Sequence, residues 1–266
     1  MKFKGYEEMN EHSELYSFNN LEDEILYGQY ALSNEFIRLP KKIDLQPLKV
    51  LGLILSKIDF KKDNRKNGVV EIYCTLSEIR KACGVSKTDT NYEYYKKIIT
   101  ELMFSSYVEG VIDNNDVKGF AIPLVETTSD ENITFKFTLF SKFLPYFQQL
   151  ATNYTIIQLE NTKRFKSKFS YNLYMNLLSW KEKDNVCAYR FYTTKQLKEL
   201  FALEKDDYCK SNGKFDRYNF EKKTIDVACK EINELTNMKV EWNKHNKPNS
   251  NRISHYSFEF IIKEEW

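Results

Sequence analysis

Apolar positions along this chain follow two rhythms, one of helical and one of strand spacing, and the order in which they alternate occurs twice. In the first stretch Asp44 can cap a helix beginning at Leu45, with Pro47 in the first turn, where a missing N–H costs little. Leu48, Leu51, Leu55 and Ile58 follow at helical spacing and predict one buried face. Residues 61–68 (KKDNRKNG) form a polar loop, and residues 69–74 (VVEIYC) read as a strand. Thr75 and Glu78 then stand at capping-box spacing before a helix that stops at Gly84. Thr90 and Glu93 repeat that spacing before a helix carrying Tyr94, Tyr95, Ile98, Ile99 and Leu102. SYVEGVI (106–112), the turn DNND and FAIPLVE (120–126) predict an antiparallel hairpin, and ITFKFTL (133–139) a closing strand.

The second stretch repeats the order. A long helix is predicted over residues 162–180, with Phe165, Phe169, Leu173, Leu177 and Trp180 on one face. YRFY (189–192) is the strand, and Thr193 with Gln196 is a third capping box, followed by Leu197, Leu200 and Phe201. The next helix begins near Asp216. Phe215 before the cap and Phe220 inside the helix are spaced for a hydrophobic staple, and Ala228, Ile232 and Leu235 continue the buried face. MKVEW (238–242), a loop, and ISHYSFEFII (253–262) close the unit as a second hairpin. Two helices at a turn followed by a β-hairpin make a winged helix-turn-helix, and the second helix of each pair is the candidate recognition helix. The expected fold is therefore α+β, with two tandem winged-helix domains. An acidic, partly disordered segment over residues 1–32 precedes domains at 33–150 and 151–266. Two small α+β domains without a nucleic-acid role would show the same pattern.

Composition narrows this picture. At 266 residues, 42% hydrophobic and 15% aromatic, the chain can bury a sizeable core. No apolar stretch resembles a signal peptide, and the most apolar run, residues 48–55 (LKVLGLIL), is far too short to span a bilayer. The five cysteines are scattered and form no CxxC pair, which suits a reducing cytoplasm and supports neither a disulfide framework nor a zinc site. The net charge of +2 hides an asymmetry: residues 1–35 carry −6 and the remainder +8. Such a field favours anionic partners, although a mixed-charge surface beside an acidic tail would give the same sum.

The densest cationic cluster is Lys163, Arg164, Lys166 and Lys168 around Ser167. In a helix beginning at residue 162 these cations would oppose the dipole, at about 0.3–1 kcal/mol each, and a bound backbone phosphate would relieve the conflict. The alternative is a solvated charged face. The helix after Asp216 presents Arg217, Tyr218, Asn219, Lys222, Lys223, Asp226 and Lys230 opposite its apolar face. Arg or Lys there can read guanine and Asn219 adenine, unless Asn219 only supports the cap. The matching helix of the first copy carries Asn91, Tyr92, Tyr95, Lys96 and Lys97, a set better suited to packing or backbone contact. The wing loop, residues 243–252, adds Lys244, His245, Lys247 and Arg252, which could follow a phosphate backbone.

Enzymatic signatures are missing from the sequence. The eight glycines never give the GxxxxGK[ST] spacing of a nucleotide-binding loop. The three histidines are isolated in sequence and offer no metal pair beside a nucleophilic tyrosine. No catalytic residue, cofactor or metal is expected.

Residues 154–180, with FKSKF from Phe165 to Phe169 and then Leu173, Tyr174, Leu177 and Leu178, resemble the second-domain opening of iteron-binding initiators of theta-replicating plasmids. Residues 218–242 resemble a second signature of that family at Phe220, Lys222, Lys223, Ala228, Glu231, Ile232, Asn233 and Thr236. The resemblance covers most of residues 36–266. It implies sequence-specific binding of repeated double-stranded DNA at an origin, opening of an adjacent AT-rich segment, and recruitment of the host initiator and replicative helicase. It also implies a homodimer formed through the first domain. Lys166, Ser167 and Lys168 would contact phosphate, and Arg217, Lys222 and Lys223 would lie at or near the bases. Two other readings stay open: a tandem winged-helix transcriptional repressor and a DNA-nicking enzyme.

Overall fold

The computed structural model describes residues 28–38, 42–58, 68–85, 91–112, 115–128, 133–146, 154–181, 188–250 and 252–263. The polar loop over residues 61–67, Thr90, and residues 1–27 of the acidic segment lie outside these. The chain divides into two compact units. One is built from described residues up to 36 and from 46 to 163, the other from residues 37 to 45 and from 164 onward.

The first unit holds β1 (Gln29–Ser33) and most of α2 (Leu45–Ser56), which follows α1 (Asn34–Arg38). Next come β2 (Val69–Thr75), α3 (Leu76–Ala82), α4 (Tyr92–Ser105), β3 (Tyr107–Ile112), β4 (Asn115–Phe120), β5 (Leu124–Thr128) and β6 (Thr134–Phe140). A 3-10 turn (Ser141–Tyr146), β7 (Tyr154–Gln158) and α5 (Leu159–Lys163) complete it. Alternation sets the strand faces: Val70, Ile72 and Cys74 are buried while Glu71 and Tyr73 are exposed. The Thr75–Glu78 box forms as expected, with the Glu78 amide donating to Thr75 Oγ1 (3.2 Å) and the Thr75 amide to Glu78 Oε2 (2.7 Å).

Two expectations for this unit are corrected. The cap of α4 is Asn91, one residue later than the expected Thr90: its Oδ1 accepts from the Tyr94 amide at 3.1 Å. The partner of β3 is β4, Tyr107 facing Phe120 and Ile112 facing Asn115, and not the FAIPLVE stretch. The chain leaves β4 at Ala121 and Ile122, whose amides are taken by the backbone carbonyl and the hydroxyl of Ser106. Pro123, with no N–H to give, comes next, and β5 then joins β6 in the sheet β2–β6–β5.

The first unit runs on to Lys163, and within it β7 pairs antiparallel with β1, Gln29 facing Gln158 and Ser33 facing Tyr154. Lys49, only 3% exposed, fastens the end of this segment. Its ammonium donates to the carbonyls of Lys163 (2.7 Å) and Cys83 (3.3 Å), at the C-terminal ends of α5 and α3. Gly84 sits at φ +72, and a Cβ there would stand 2.9 Å from the Lys163 carbonyl, so both backbone conformation and space require glycine.

The second unit contains α6 (Lys168–Leu178), β8 (Ala188–Tyr192), α7 (Thr194–Leu200), α8 (Arg217–Phe220), a π-helical turn (Glu221–Ile225), α9 (Asp226–Leu235), β9 (Met238–Asn246) and β10 (Ile253–Ile262). The sheet order is β8–β10–β9, so the strand between the helices lies against the second strand of the wing. Tyr256 faces both Tyr192 and Lys244 in register. The Thr193–Gln196 box forms, and Phe215 meets Phe220 at 5.4 Å between ring centroids, as the staple predicts. Phe220, fully buried, also meets Phe201, Tyr208 and Tyr256.

The helix expected over residues 162–180 is broken. After α5 ends at Lys163 the chain is non-helical until Ser167, which caps α6 in an extended conformation with its Oγ accepting from the Phe169 amide (3.1 Å). Buried Phe165 packs within the break against Tyr171 and Tyr174. In the connection before α8, residues 201–216 fold on themselves through a Cys209–Phe215 bridge, with Tyr208 at φ 58. The wing loop is shorter than expected, since β9 continues through Lys244 and His245 to Asn246.

Candidate nucleic-acid interface

Helix α8 starts from Asp216. Its Oδ1 accepts from the Asn219 amide (3.2 Å) and its Oδ2 from the Asn219 side chain (2.8 Å). These bonds, with Lys210 and Lys223 nearby, hold the Asp216 carboxyl below its usual range. Asn219 thus serves the cap, the second of the two roles open to it. Arg217 is half-buried, and its Nε is buried without a hydrogen-bond partner; Tyr218 is 69% exposed.

The next turn is π-helical, and its side chains split sharply. Glu221 is buried, while Lys222 and Lys223 face solvent. Lys222 is held by Asp226 at 2.7 Å, whereas Lys223 has no ion pair among the described residues. Lys244, expected on the wing loop, stands on β9 with its ammonium 3.0 Å from Glu221 Oε2. Tyr256 donates to Glu221 Oε1 at 3.0 Å, and its phenol is pushed up to about 12, first by burial and then by the Glu221 charge. Trp242 Nε1 donates to Asp226 Oδ1 at 3.0 Å. Lys247 is exposed, and its amide donates to the Arg252 carbonyl (2.8 Å) to close the wing loop.

The basic cluster before α6 does not join this group. Lys163 ends α5 in the first unit and pairs with Glu160. Arg164 donates to the Leu235 carbonyl (3.4 Å) at the C-terminus of α9, where a cation is favoured. The amides of Lys166 and Ser167 both donate to Glu231 Oε2 at 3.2 Å. The expected conflict with the helix dipole is thereby confined to Lys168, the first residue of α6, and the Lys166 and Ser167 amides are taken by Glu231. Lys168 lies 3.8 Å from Asp44; the Lys166 side chain is exposed.

The amino-acid pattern did not single out Lys195 or Thr194. Lys195, 86% exposed in its side chain, stands in the first turn of α7, and the Thr194 hydroxyl lies against the Tyr256 phenol beside Glu221. The signal was available, since both residues fall inside the Thr193–Gln196 capping box. Two of the histidines, isolated in sequence, also come together: His245 and His255 face each other across β9 and β10 with rings stacked at 4.6 Å. Among the described residues no group of three or more His, Cys, Asp or Glu is placed to hold a metal. Nor, among them, is any helix long and apolar enough to cross a membrane.

A capped helix leading into a cation-bearing second helix, backed by a three-stranded wing sheet, defines a winged-helix protein of the nucleic-acid-binding kind. Residues 29–178 match the family model described as Initiator Replication protein, WH1, and residues 193–260 match Initiator Rep protein, WH2. The chain belongs to this replication initiator family. The Pi initiator protein, solved in complex with iteron DNA, superposes with a TM-score of 0.71 at 20% identity, over 90% of this chain and 99% of that one. Fragments of RctB spanning its domains 2 and 3 give TM-scores of 0.48 and 0.42 at 11% and 10% identity, covering 83% and 87% of this chain and 82% of each fragment. No curated protein matches the chain.

Proposed function

We propose that this chain initiates plasmid replication by binding repeated double-stranded DNA at its origin, with the second unit reading sequence. The carrying observation is the family match over both winged-helix domains. The second unit adds the chemistry: Arg217, Tyr218 and Lys223 at the start of the recognition helix, with Lys244 and Lys247 on the adjoining wing. Arg217 would act at the major groove, and Lys195, Lys222, Lys223 and Lys247 along the phosphates. Lys166 and Lys168 would add backbone contacts beside the far end of α9. The protein would do no chemistry of its own. It would hold the origin open and bring in the host initiator and helicase.

Dimerisation through the first unit belongs to the same reading. Tyr73, Leu124 and Phe140 are large apolar side chains exposed on its strands, a surface suited to a second copy.

The test is replication itself. A minimal plasmid carrying only this gene, its flanking DNA and a marker should be maintained, and a frameshift in the gene should abolish maintenance. Repression of its own promoter without maintenance would favour the repressor. Metal-dependent relaxation of supercoiled DNA by the purified protein would revive the nicking enzyme.

A further inference from the structure

We infer that Glu221 is a positioning residue for base reading, a buried carboxylate clamped by both wing strands that sets the direction of the recognition helix at Arg217 and Tyr218. The inference rests on the DNA-binding reading above and deepens it.

Glu221 is 6% exposed, although its neighbours Lys222 and Lys223 are solvated. Its two oxygens take one donor from each wing strand, Tyr256 from β10 and Lys244 from β9, both at 3.0 Å. Those donors face each other in register, so one carboxylate bridges the hairpin. At the start of α9, Asp226 takes the Trp242 indole from β9 at 3.0 Å. The wing therefore grips the helix immediately before and after the turn between these two acids.

That turn is π-helical, and the Thr224 hydroxyl donates to the Phe220 carbonyl at 2.6 Å. A π-turn holds about one residue more than an α-turn, so it rotates the helix on its N-terminal side relative to the helix on its C-terminal side. The C-terminal side, α9, is fixed in the core by Ala228 and Ile232, both fully buried. The N-terminal side, α8, carries Arg217 and Tyr218. The clamp on Glu221 thus sets the angle at which these two side chains leave the protein. Packing alone does not call for a carboxylate there, because an apolar side chain can fill such a space at equal or better stability. What the carboxylate adds is direction, through two bonds that tie this turn of the helix to both wing strands.

The experiment compares the intact protein with its Glu221→Ala, Glu221→Gln and Tyr256→Phe variants. Each binds two duplexes of equal length at one salt concentration: the sequence the wild type protects beside its own gene, and random DNA. Thermal unfolding is followed in parallel. Glu221→Ala should lose about tenfold or more on the protected sequence while random DNA stays within about twofold. Glu221→Gln, which can still accept from Tyr256, should recover part of that loss. Tyr256→Phe keeps the ring and the core and should show a smaller loss of the same kind. Equal losses on both duplexes that follow the folded fraction would overturn the inference, as would an unchanged ratio in Tyr256→Phe. A wild type that prefers no flanking sequence would overturn the DNA-binding reading itself, and the inference with it.

Discussion

Lys222 and Lys223 are adjacent on one turn and meet different fates, which bears on how each would act on DNA. Lys222 is tied to Asp226, so part of its attraction for phosphate is already spent, whereas Lys223 is not paired among the described residues. Lys223→Ala should therefore lower the slope of log affinity against log salt by about 0.9, and Lys222→Ala by less, in titrations across a salt series. Arg217→Ala should instead weaken binding to the protected sequence by about 1–3 kcal/mol and relax preference at one base position, measured by competition with single-base variants. Equal effects of Arg217→Ala on specific and random DNA would remove it from the bases. The cysteines give a separate check on the core. Burial pushes the thiols of Cys74, Cys83 and Cys229 up to about 12, whereas Cys209 is only half-buried. Alkylation of the native protein near neutral pH should therefore label Cys209 and spare Cys74, Cys83 and Cys229. As residue types the cations are legible in the sequence. Which of them are committed is only partly so: Lys222 and Asp226 stand four residues apart, but Glu221 meets Lys244 only after the fold forms.

Capped helices were the most legible elements. Two capping boxes appear where Thr stands three residues before Glu or Gln, and the Phe215–Phe220 staple closes as its spacing predicts. The errors came where two local signals competed. Apolar spacing runs unbroken through residues 162–180, yet Ser167 is a better cap than interior residue, and Glu231 from α9 supplies acceptors for the break. Likewise the FAIPLVE stretch reads as the strand that pairs with β3, whereas the choice of β4 as that partner depends on Ser106 taking the amides at Ala121 and Ile122. Asp216→Ala should destabilise the second unit, read as a fall in denaturation midpoint. Because the Asp216 carboxyl is held below its unfolded range, its contribution is present above that range and fades as pH falls through the folded value. Gly84→Ala should destabilise the first unit, through both its positive φ and the approach to the Lys163 carbonyl.

Across the whole chain, duplication was the strongest signal in the sequence, because helix, strand, two helices and hairpin recur in the same order. It carried the fold class, and the family match spans both copies. The boundary between the copies was not legible, since β7 belongs with β1 across most of the first unit and no local pattern announces a pairing that distant. Nor was the candidate site legible as a whole. The basic cluster around Ser167 read as a phosphate site at a helix N-terminus, yet Arg164 and the Lys166 amide bond to α9, and Lys163 belongs to the first unit. Everything proposed for this chain depends on its recognising repeated DNA, and footprinting of the purified protein on the DNA flanking its own gene decides that point. With random DNA as competitor at physiological salt, regularly spaced protection over tandem repeats is expected. Binding with no preference over random DNA would contradict it.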